Sequence, residues 1–165
     1  SFNSNKSTYI RLTGGSNAPI VYDDDYEFVI GKPIEIVKGE DIVILANGPM
    51  VANSMSAINI LKDKNIYPSL VNVHTLKPMD ESEVINKIAD SKIIFTVEEH
   101  SIHGGLFSSI SEILCKNGIF KKIIPLCIPD DYISSGNYNF MIKNLKLDPQ
   151  SIAERIINEA NNRWL

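Results

Sequence analysis

Residues 93–106 have the sequence IIFTVEEHSIHGGL. The first five, Ile93 to Val97, are almost all apolar and β-branched or aromatic, which is typical of a strand covered on both faces. Two carboxylates and two imidazoles follow, and then Gly104 and Gly105 open a segment with helical spacing. The stretch predicts a buried strand that leads through a polar turn into a helix, which is the unit of a wound α/β sheet.

Similar units occur on both sides of this stretch. Short apolar runs alternate with helical segments, and the predicted strands are Ile34–Val37, Ile42–Ala46, Leu70–Val73, Ile93–Val97 and Ile123–Ile128. Pro125 cannot donate a ladder hydrogen bond, so the last strand is expected at a sheet edge. The first strand reaches the second through residues 38–41, which favours an antiparallel hairpin. We predict a three-layer α/β/α fold with a five-stranded mixed, mostly parallel sheet whose first strand is antiparallel.

Helical spacing predicts the two outer layers. The expected inward positions are Val51, Met55, Ile58 and Leu61; Val84, Ile85 and Ile88, after an Asp80 N-cap; Leu106, Ile110, Ile113 and Leu114, before Asn117-Gly118; and Ile152, Ile156, Ala160 and Trp164, after Asp148-Pro149. A short helix is also expected around Phe140–Leu145. Each of the first three helices joins two strands, as βαβ units require.

The first 33 residues differ from the rest of the chain. They include a turn-rich run at Thr13–Asn17 and an acidic run at Asp23–Asp25, and they end in Gly31-Lys32-Pro33. The apolar cluster Ile20–Tyr22 suggests that this segment packs along the surface of the following domain. We therefore predict an arm or linker over residues 1–33 and one domain over residues 34–165.

Composition excludes several functional classes. The 16 basic and 20 acidic residues give a formal charge of -4, which provides no cationic field for nucleic acid or an anionic membrane. No apolar run has the length of a membrane span. Cys115 and Cys127 lack metal-site spacing and are expected to be buried free thiols. These features favour a cytoplasmic protein.

Polar residues gather where the predicted parallel strands end, at the edge where open α/β sheets bind ligands. The candidate site residues are His74, Glu98, Glu99, His100, His103, Gly104 and Gly105. Asn47, Gly48, Thr75, Asp130 and Asp131 are expected at the same edge. The two glycines could present backbone N–H groups to an anion at a helix N-terminus, and the edge could also contact a partner.

Other interpretations of this edge stay open. The carboxylates could instead hydrogen-bond loop amides while the glycines allow close strand-to-helix packing. A self-contained enzyme with His100 and Glu99 as acid and base is a further alternative. Metal binding is not expected, since His100 and His103 have no supporting cysteine pair or HExxH motif. No catalytic residue is assigned.

With these residues in view, the chain resembles the carboxyl-terminal section of the transketolase family over nearly its whole length. The matching segments occur in family order, and they are Tyr9–Leu12, Pro19–Tyr22, Tyr26–Phe28, Ile30–Lys32, Ile42–Gly48, Val73–Asp80 and Thr96–Leu106. Any one of these segments alone is a weak indication, whereas together they are specific.

The resemblance implies a parent enzyme in which one module binds the diphosphate and Mg²⁺ of thiamine diphosphate and another contacts its aminopyrimidine. Residues 1–33 would then be the tail of the pyrimidine-binding module and a linker. The Gly-Asp-Gly motif of the diphosphate module does not occur in this sequence. We expect the chain to bind no cofactor or metal and to be inactive in isolation, and the parent, a homodimer, to transfer ketol units between sugars.

Two departures from the family leave the substrate class open. Phe107 stands where the family usually has glycine, and Thr13-Gly14-Gly15 stands where sugar-phosphate transketolases often supply an arginine. Related enzymes that share this module are 1-deoxyxylulose-5-phosphate synthase and the β subunit of 2-oxoacid dehydrogenases, and both remain alternatives. A stand-alone module that binds a partner or an anion is another.

Overall fold

The structure is a computed structural model that describes residues 7–11, 19–22 and 25–161. In chain order its elements are β1 (Ile34–Val37), β2 (Ile42–Ala46), α1 (Met50–Lys62), β3 (Ser69–Asn72), α2 (Glu81–Ile88), β4 (Ile93–Ser101), α3 (Leu106–Lys116), β5 (Lys122–Ile128), α4 (Tyr138–Asn144) and α5 (Pro149–Asn161). The predicted turn run Thr13–Asn17, the acidic pair Asp23–Asp24 and the helix position Trp164 lie outside the described residues.

The strands form one sheet in the order β1-β3-β2-β4-β5. Strands β2 to β5 are parallel, and β1 is antiparallel to β3. The predicted fold class and the edge position of β5 are therefore confirmed. Pro125 lies opposite Thr96 in the β4–β5 register.

The partner predicted for β1 was wrong. A hairpin would place β1 beside β2, but both sides of β2 are occupied by its parallel neighbours β3 and β4. The connection after β1 instead passes the start of β3, where the Gly39 N–H donates to Ser69 Oγ at 2.9 Å and the Glu40 N–H to the Tyr67 carbonyl at 2.7 Å. A Cβ at Gly39 would meet that same carbonyl oxygen at 2.2 Å, so this close passage requires glycine.

Two apolar clusters cover the faces of the sheet, which gives the three layers. One contains side chains from α1, α4 and α5, and the other contains side chains from α2 and α3. The central strands are buried on both sides, as Ile44 and Phe95 show, each with 0% exposure. This arrangement explains why the runs in β2 and β4 are continuously apolar.

Local signals set the helix limits as the sequence predicts. Asp80 caps α2, because its Oδ1 accepts the Glu83 N–H at 3.1 Å.

Both cysteines are free, but Cys115 is exposed and Cys127 is only half-buried. The predicted burial of Cys115 was wrong because it follows the buried Leu114 and therefore turns to the outer side of α3. No helix in the described ranges combines the length and the apolar character needed to cross a bilayer.

Candidate functional site

The candidate residues lie along the edge of the sheet where the parallel strands β2 to β5 end. Most of them follow the buried part of β4, whereas His74 follows β3. Because β2 lies between β3 and β4, the structure divides the set into two groups. Strand β4 also continues beyond its predicted end at Val97 to Ser101, which pairs with Ile128 of β5.

Glu98 lies inside the protein, with 0% exposure. Its Oε2 accepts the Leu106 N–H at 2.6 Å, and its Oε1 accepts the Phe107 N–H at 2.8 Å. These are the first N–H groups of α3, which have no partner within the helix, and a negative charge there also interacts favourably with the helix dipole. The carboxylate therefore fastens the end of β4 to the start of α3.

Gly105 provides the space for this carboxylate. It is the N-cap residue of α3, and a Cβ on it would meet Glu98 Oε2 at 2.0 Å. The sequence had left open whether this segment binds an external anion or serves local packing. At Glu98 and Gly105 the structure has local packing: the Glu98 carboxylate occupies the place at the start of α3 where an external anion could bind, and Gly105 leaves room for it.

The same carboxylate influences Cys127 on the neighbouring strand β5. Burial raises the pKa of the Cys127 thiol to about 11, and the negative charge of Glu98 adds to the increase. The thiol is therefore protonated near neutral pH, whereas the thiolate is the nucleophilic form. This environment therefore disfavours the reactive thiolate form of Cys127.

Glu99 is exposed and connects β4 to α4. The Tyr138 hydroxyl donates to Glu99 Oε2 at 3.1 Å. Burial raises the pKa of Tyr138 to about 12, and the charge of Glu99 and the hydrogen bond to it contribute to the increase. Tyr138 therefore stays neutral and acts as a hydrogen-bond donor across the physiological range.

His100, near the end of β4, and His103, just after it, face solvent. His100 Nδ1 lies 3.0 Å from the Ser101 carbonyl oxygen. His103 Nε2 lies 3.6 Å from Asp130 Oδ2, and these side chains are 74% and 79% exposed. Gly104 has a φ of +76° and its N–H donates to Ser108 Oγ at 2.8 Å. Glu99 and His100 thus contact different groups, and the structure does not pair them as an acid and a base.

His74 has separate surroundings beyond β3. Its Nδ1 lies 2.7 Å from Thr75 Oγ1, its Nε2 is buried, and the Phe28 ring lies 4.5 Å from its own ring. Sequence reasoning did not identify a neighbouring contact, in which Asn72 Nδ2 donates to the Tyr22 hydroxyl at 2.5 Å. The available signal was the apolar cluster Ile20–Tyr22, which predicted packing but no hydrogen bond.

Comparison with known proteins places these features in a family. Residues 31–152 match the family model described as transketolase, C-terminal domain. A protein named as a transketolase C-terminal section, from Methanocaldococcus jannaschii, is 39% identical over 153 residues, which is 92% of this chain and 47% of that protein. The 1-deoxy-D-xylulose-5-phosphate synthase of Dictyoglomus turgidum is 39% identical over 150 residues, which is 90% of this chain and 24% of the synthase.

A solved structure supports the fold. A split-gene transketolase, described as an inactive beta4 tetramer, superposes with a TM-score of 0.79 at 24% identity, over 87% of this chain and 46% of that one. The chain spans a quarter to a half of the length of these relatives. The match to the family model covers all five strands of the sheet and helices α1 to α4. The chain belongs to the transketolase C-terminal domain family.

Proposed function

We propose that this chain serves as the C-terminal domain of a thiamine diphosphate-dependent, transketolase-like enzyme that transfers ketol units between sugars. In this proposal the domain completes the subunit and contributes to a homodimer in the cytoplasm. The observation that supports it most directly is the match of residues 31–152 to the transketolase C-terminal domain model. A structural role agrees with the Glu98 carboxylate, which accepts the first N–H groups of α3 in a place where an external anion could otherwise bind. The chemistry then belongs to the cofactor and the modules that hold it.

In this proposal the described residues hold neither the diphosphate nor the metal of the cofactor. Among residues 7–11, 19–22 and 25–161, no three His, Cys, Asp or Glu side chains group closely enough to hold a metal ion. The first two N–H groups of α3 already donate to Glu98. In the proposal the other modules of the parent enzyme bind thiamine diphosphate and Mg²⁺, and no reaction step involves a residue of this domain.

Calorimetric titration tests whether the other modules, and not this domain, bind the cofactor. Thiamine diphosphate with Mg²⁺ is titrated into this chain alone and, as the matched control, into the complete enzyme that contains it. We expect heat of binding when the cofactor is titrated into the complete enzyme, and none when it is titrated into the isolated chain. Binding to the isolated chain with a Kd of about 1 μM would contradict the proposal.

Product analysis with the complete enzyme tests the proposed reaction. One reaction receives sugar phosphates as ketol donor and acceptor, and a second receives an aldose phosphate with a 2-oxoacid that can supply a two-carbon unit by loss of CO2; the products of both are identified by mass spectrometry. Transfer of a two-carbon ketol unit supports the proposal. Formation of 1-deoxyxylulose 5-phosphate instead would support a synthase of the kind seen among the relatives, and formation of neither product would favour a role outside ketol transfer.

A stand-alone binding module is the second candidate, and one observation favours it. Large apolar side chains are exposed in the segment after β5, where Tyr132 is fully exposed and Tyr138 and Phe140 are about half exposed, and Tyr138 also contacts Glu99. Size-exclusion chromatography of this chain mixed with the cofactor-binding modules distinguishes the candidates. A stable complex that restores ketol transfer supports the enzyme, whereas no association supports the separate module.

A further inference from the structure

A segment before β1 crosses the carboxyl end of β3 and is fastened at several points. We define the strap as residues 21–22 and 25–31, the described residues on either side of positions 23–24. All of it except Gly31 precedes the region that matches the family model. The residues that the strap covers, Asn72 and His74, lie within the matched region, and a role for this contact goes beyond the function proposed above.

Side chains hold the strap at its beginning and its middle. Val21 packs against the apolar cluster on the α1 face, and the Tyr22 hydroxyl accepts a hydrogen bond from Asn72 at 2.5 Å. Burial raises the pKa of Tyr22, which keeps its hydroxyl neutral in this contact. The Tyr22 and Tyr26 rings stack with centroids 4.0 Å apart, so the two described parts of the strap also contact each other.

The backbone holds the strap at its end. The Asp80 N–H, just before α2, donates to the Gly31 carbonyl at 2.9 Å. Gly31 has a φ of +88°, and a Cβ there would meet the Pro78 carbonyl oxygen at 2.9 Å. Glycine is therefore required both for the backbone conformation and for the close approach to the segment before α2.

The central contact covers a candidate site residue. The Phe28 ring lies against the His74 ring, with centroids 4.5 Å apart and planes inclined by 36°. His74 Nδ1 forms a hydrogen bond with Thr75 Oγ1, whereas His74 Nε2 is buried without a partner among the described residues. Asn72 Oδ1 is likewise buried and unpartnered there. Unpaired buried polar atoms are costly, so a group that formed hydrogen bonds with these two atoms would be stabilised by them.

We propose that the strap is a cover over a polar seat formed by Asn72 and His74, and that a small polar ligand reaches His74 only when the strap lifts. The free atoms are an amide oxygen and an imidazole nitrogen. Asn72 Oδ1 accepts hydrogen bonds, whereas His74 Nε2 accepts or donates according to which ring nitrogen carries the proton beside Thr75 Oγ1. The seat therefore suits a small neutral group that can both donate and accept a hydrogen bond, such as a hydroxyl or an amide. In this proposal access to His74 depends on strap opening, whereas His100 and His103 are exposed while the strap is closed.

Chemical modification of the three histidines tests this cover. Diethyl pyrocarbonate reacts with accessible unprotonated imidazole, and peptide mass spectrometry measures the rate at each site. His100 and His103 are internal controls. In the unaltered chain we expect His74 to react about tenfold or more slowly than His103, since closed segments react through transient opening. Equal rates at His74 and His103 would overturn the proposal.

Two variants separate cover removal from general unfolding. Phe28→Ala should raise the His74 rate about tenfold and leave His100 and His103 within about twofold. The matched control Phe120→Ala removes an aromatic side chain that is 98% exposed and should leave all three rates unchanged. If Phe28→Ala leaves the His74 rate unchanged, or Phe120→Ala raises it equally, the strap is not the cover.

Hydrogen exchange provides a second measurement on the same chain. The Asp80 amide reports the closed strap, and the Phe95 amide in central β4 reports the whole fold. Tyr22→Phe removes the Asn72 contact and should accelerate Asp80 exchange about threefold or more, with Phe95 unchanged. An Asp80 amide that exchanges at the rate of an open chain before any substitution would also contradict a closed strap.

Discussion

Replacing Gly105 with alanine tests whether Glu98 fastens the start of α3. The φ of −99° at Gly105 is accessible to any residue, so alanine introduces no backbone strain. The added Cβ would meet Glu98 Oε2 at 2.0 Å and Cδ at 2.8 Å. Because the carboxylate is buried and cannot yield by this distance in place, the substitution should expel it from the helix end.

The expected cost follows from the two hydrogen bonds that the expelled carboxylate no longer accepts. Glu98 accepts two N–H groups, and a hydrogen bond to a charged group contributes about 1.5–3 kcal/mol. Renewed hydration of the carboxylate offsets part of this, so we expect Gly105→Ala to lower the free energy of unfolding by about 3–4 kcal/mol. Gly104→Ala is the matched control, since the space there is open but φ is +76°, and it should cost about 1–2 kcal/mol.

Urea unfolding followed by circular dichroism measures both variants, and a double-mutant cycle isolates the contact. In a Glu98→Ala background the carboxylate is gone, so Gly105→Ala should cost less than about 1 kcal/mol. The reasoning is refuted if Gly105→Ala costs no more than Gly104→Ala. An equal cost of Gly105→Ala with and without the Glu98 side chain would refute it as well.

Three further predictions concern contacts elsewhere in the domain. Lys121 Nζ donates to three backbone carbonyls at and after the end of α2. Lys121→Met should therefore lower the free energy of unfolding by about 1–2 kcal/mol in urea titrations. The control Lys64→Met, at an exposed position, should leave that free energy unchanged. Asp80→Ala removes the α2 N-cap and should cost about 1 kcal/mol by the same measurement. At pH 8 iodoacetamide should alkylate Cys127 about tenfold more slowly than a thiol with the reference pKa of 9.0, because the lower thiolate fraction is partly offset by the greater nucleophilicity of that thiolate, and the rate should rise until pH passes about 11.

Each of these has a result that would contradict it. Equal stability of Lys121→Met and Lys64→Met would show that the three carbonyls gain nothing from the ammonium group. An Asp80→Ala variant as stable as the parent would show that the Asp80 N-cap does not stabilise α2. Cys127 alkylated as fast as the exposed Cys115 would show that burial and the Glu98 charge do not hold its proton.

Much of the fold could be predicted because its signals are local. The apolar run Ile42–Ala46 gave both ends of β2, since a central parallel strand must be apolar on both faces. Asp80 marked the start of α2 because a capping side chain acts within three residues of its own position. Pro125 placed β5 at the edge because its missing N–H is a property of that residue alone.

The features that sequence reasoning missed depend on distant contacts. The partner of β1 is decided where Gly39 meets Ser69, thirty positions along the chain. The capping role of Glu98 depends on a turn that brings it to Leu106 and Phe107, at a spacing that matches no helix-cap motif. In both cases the sequence supplied suitable residues, but the geometry that joins them is set by the packed sheet.

The candidate residues occupy three different environments, and this division determines which of them a partner can use. Glu98 can leave the start of α3 only at the cost of two charge-assisted hydrogen bonds, so it is not available to a partner in the folded domain. His74 becomes available only if the strap opens. Glu99 and His103 are exposed, with partners that solvent can replace at small cost. If the proposed partner modules bind at this edge, their binding should depend on Glu99 and His103, while substitutions at Glu98 should act through folding.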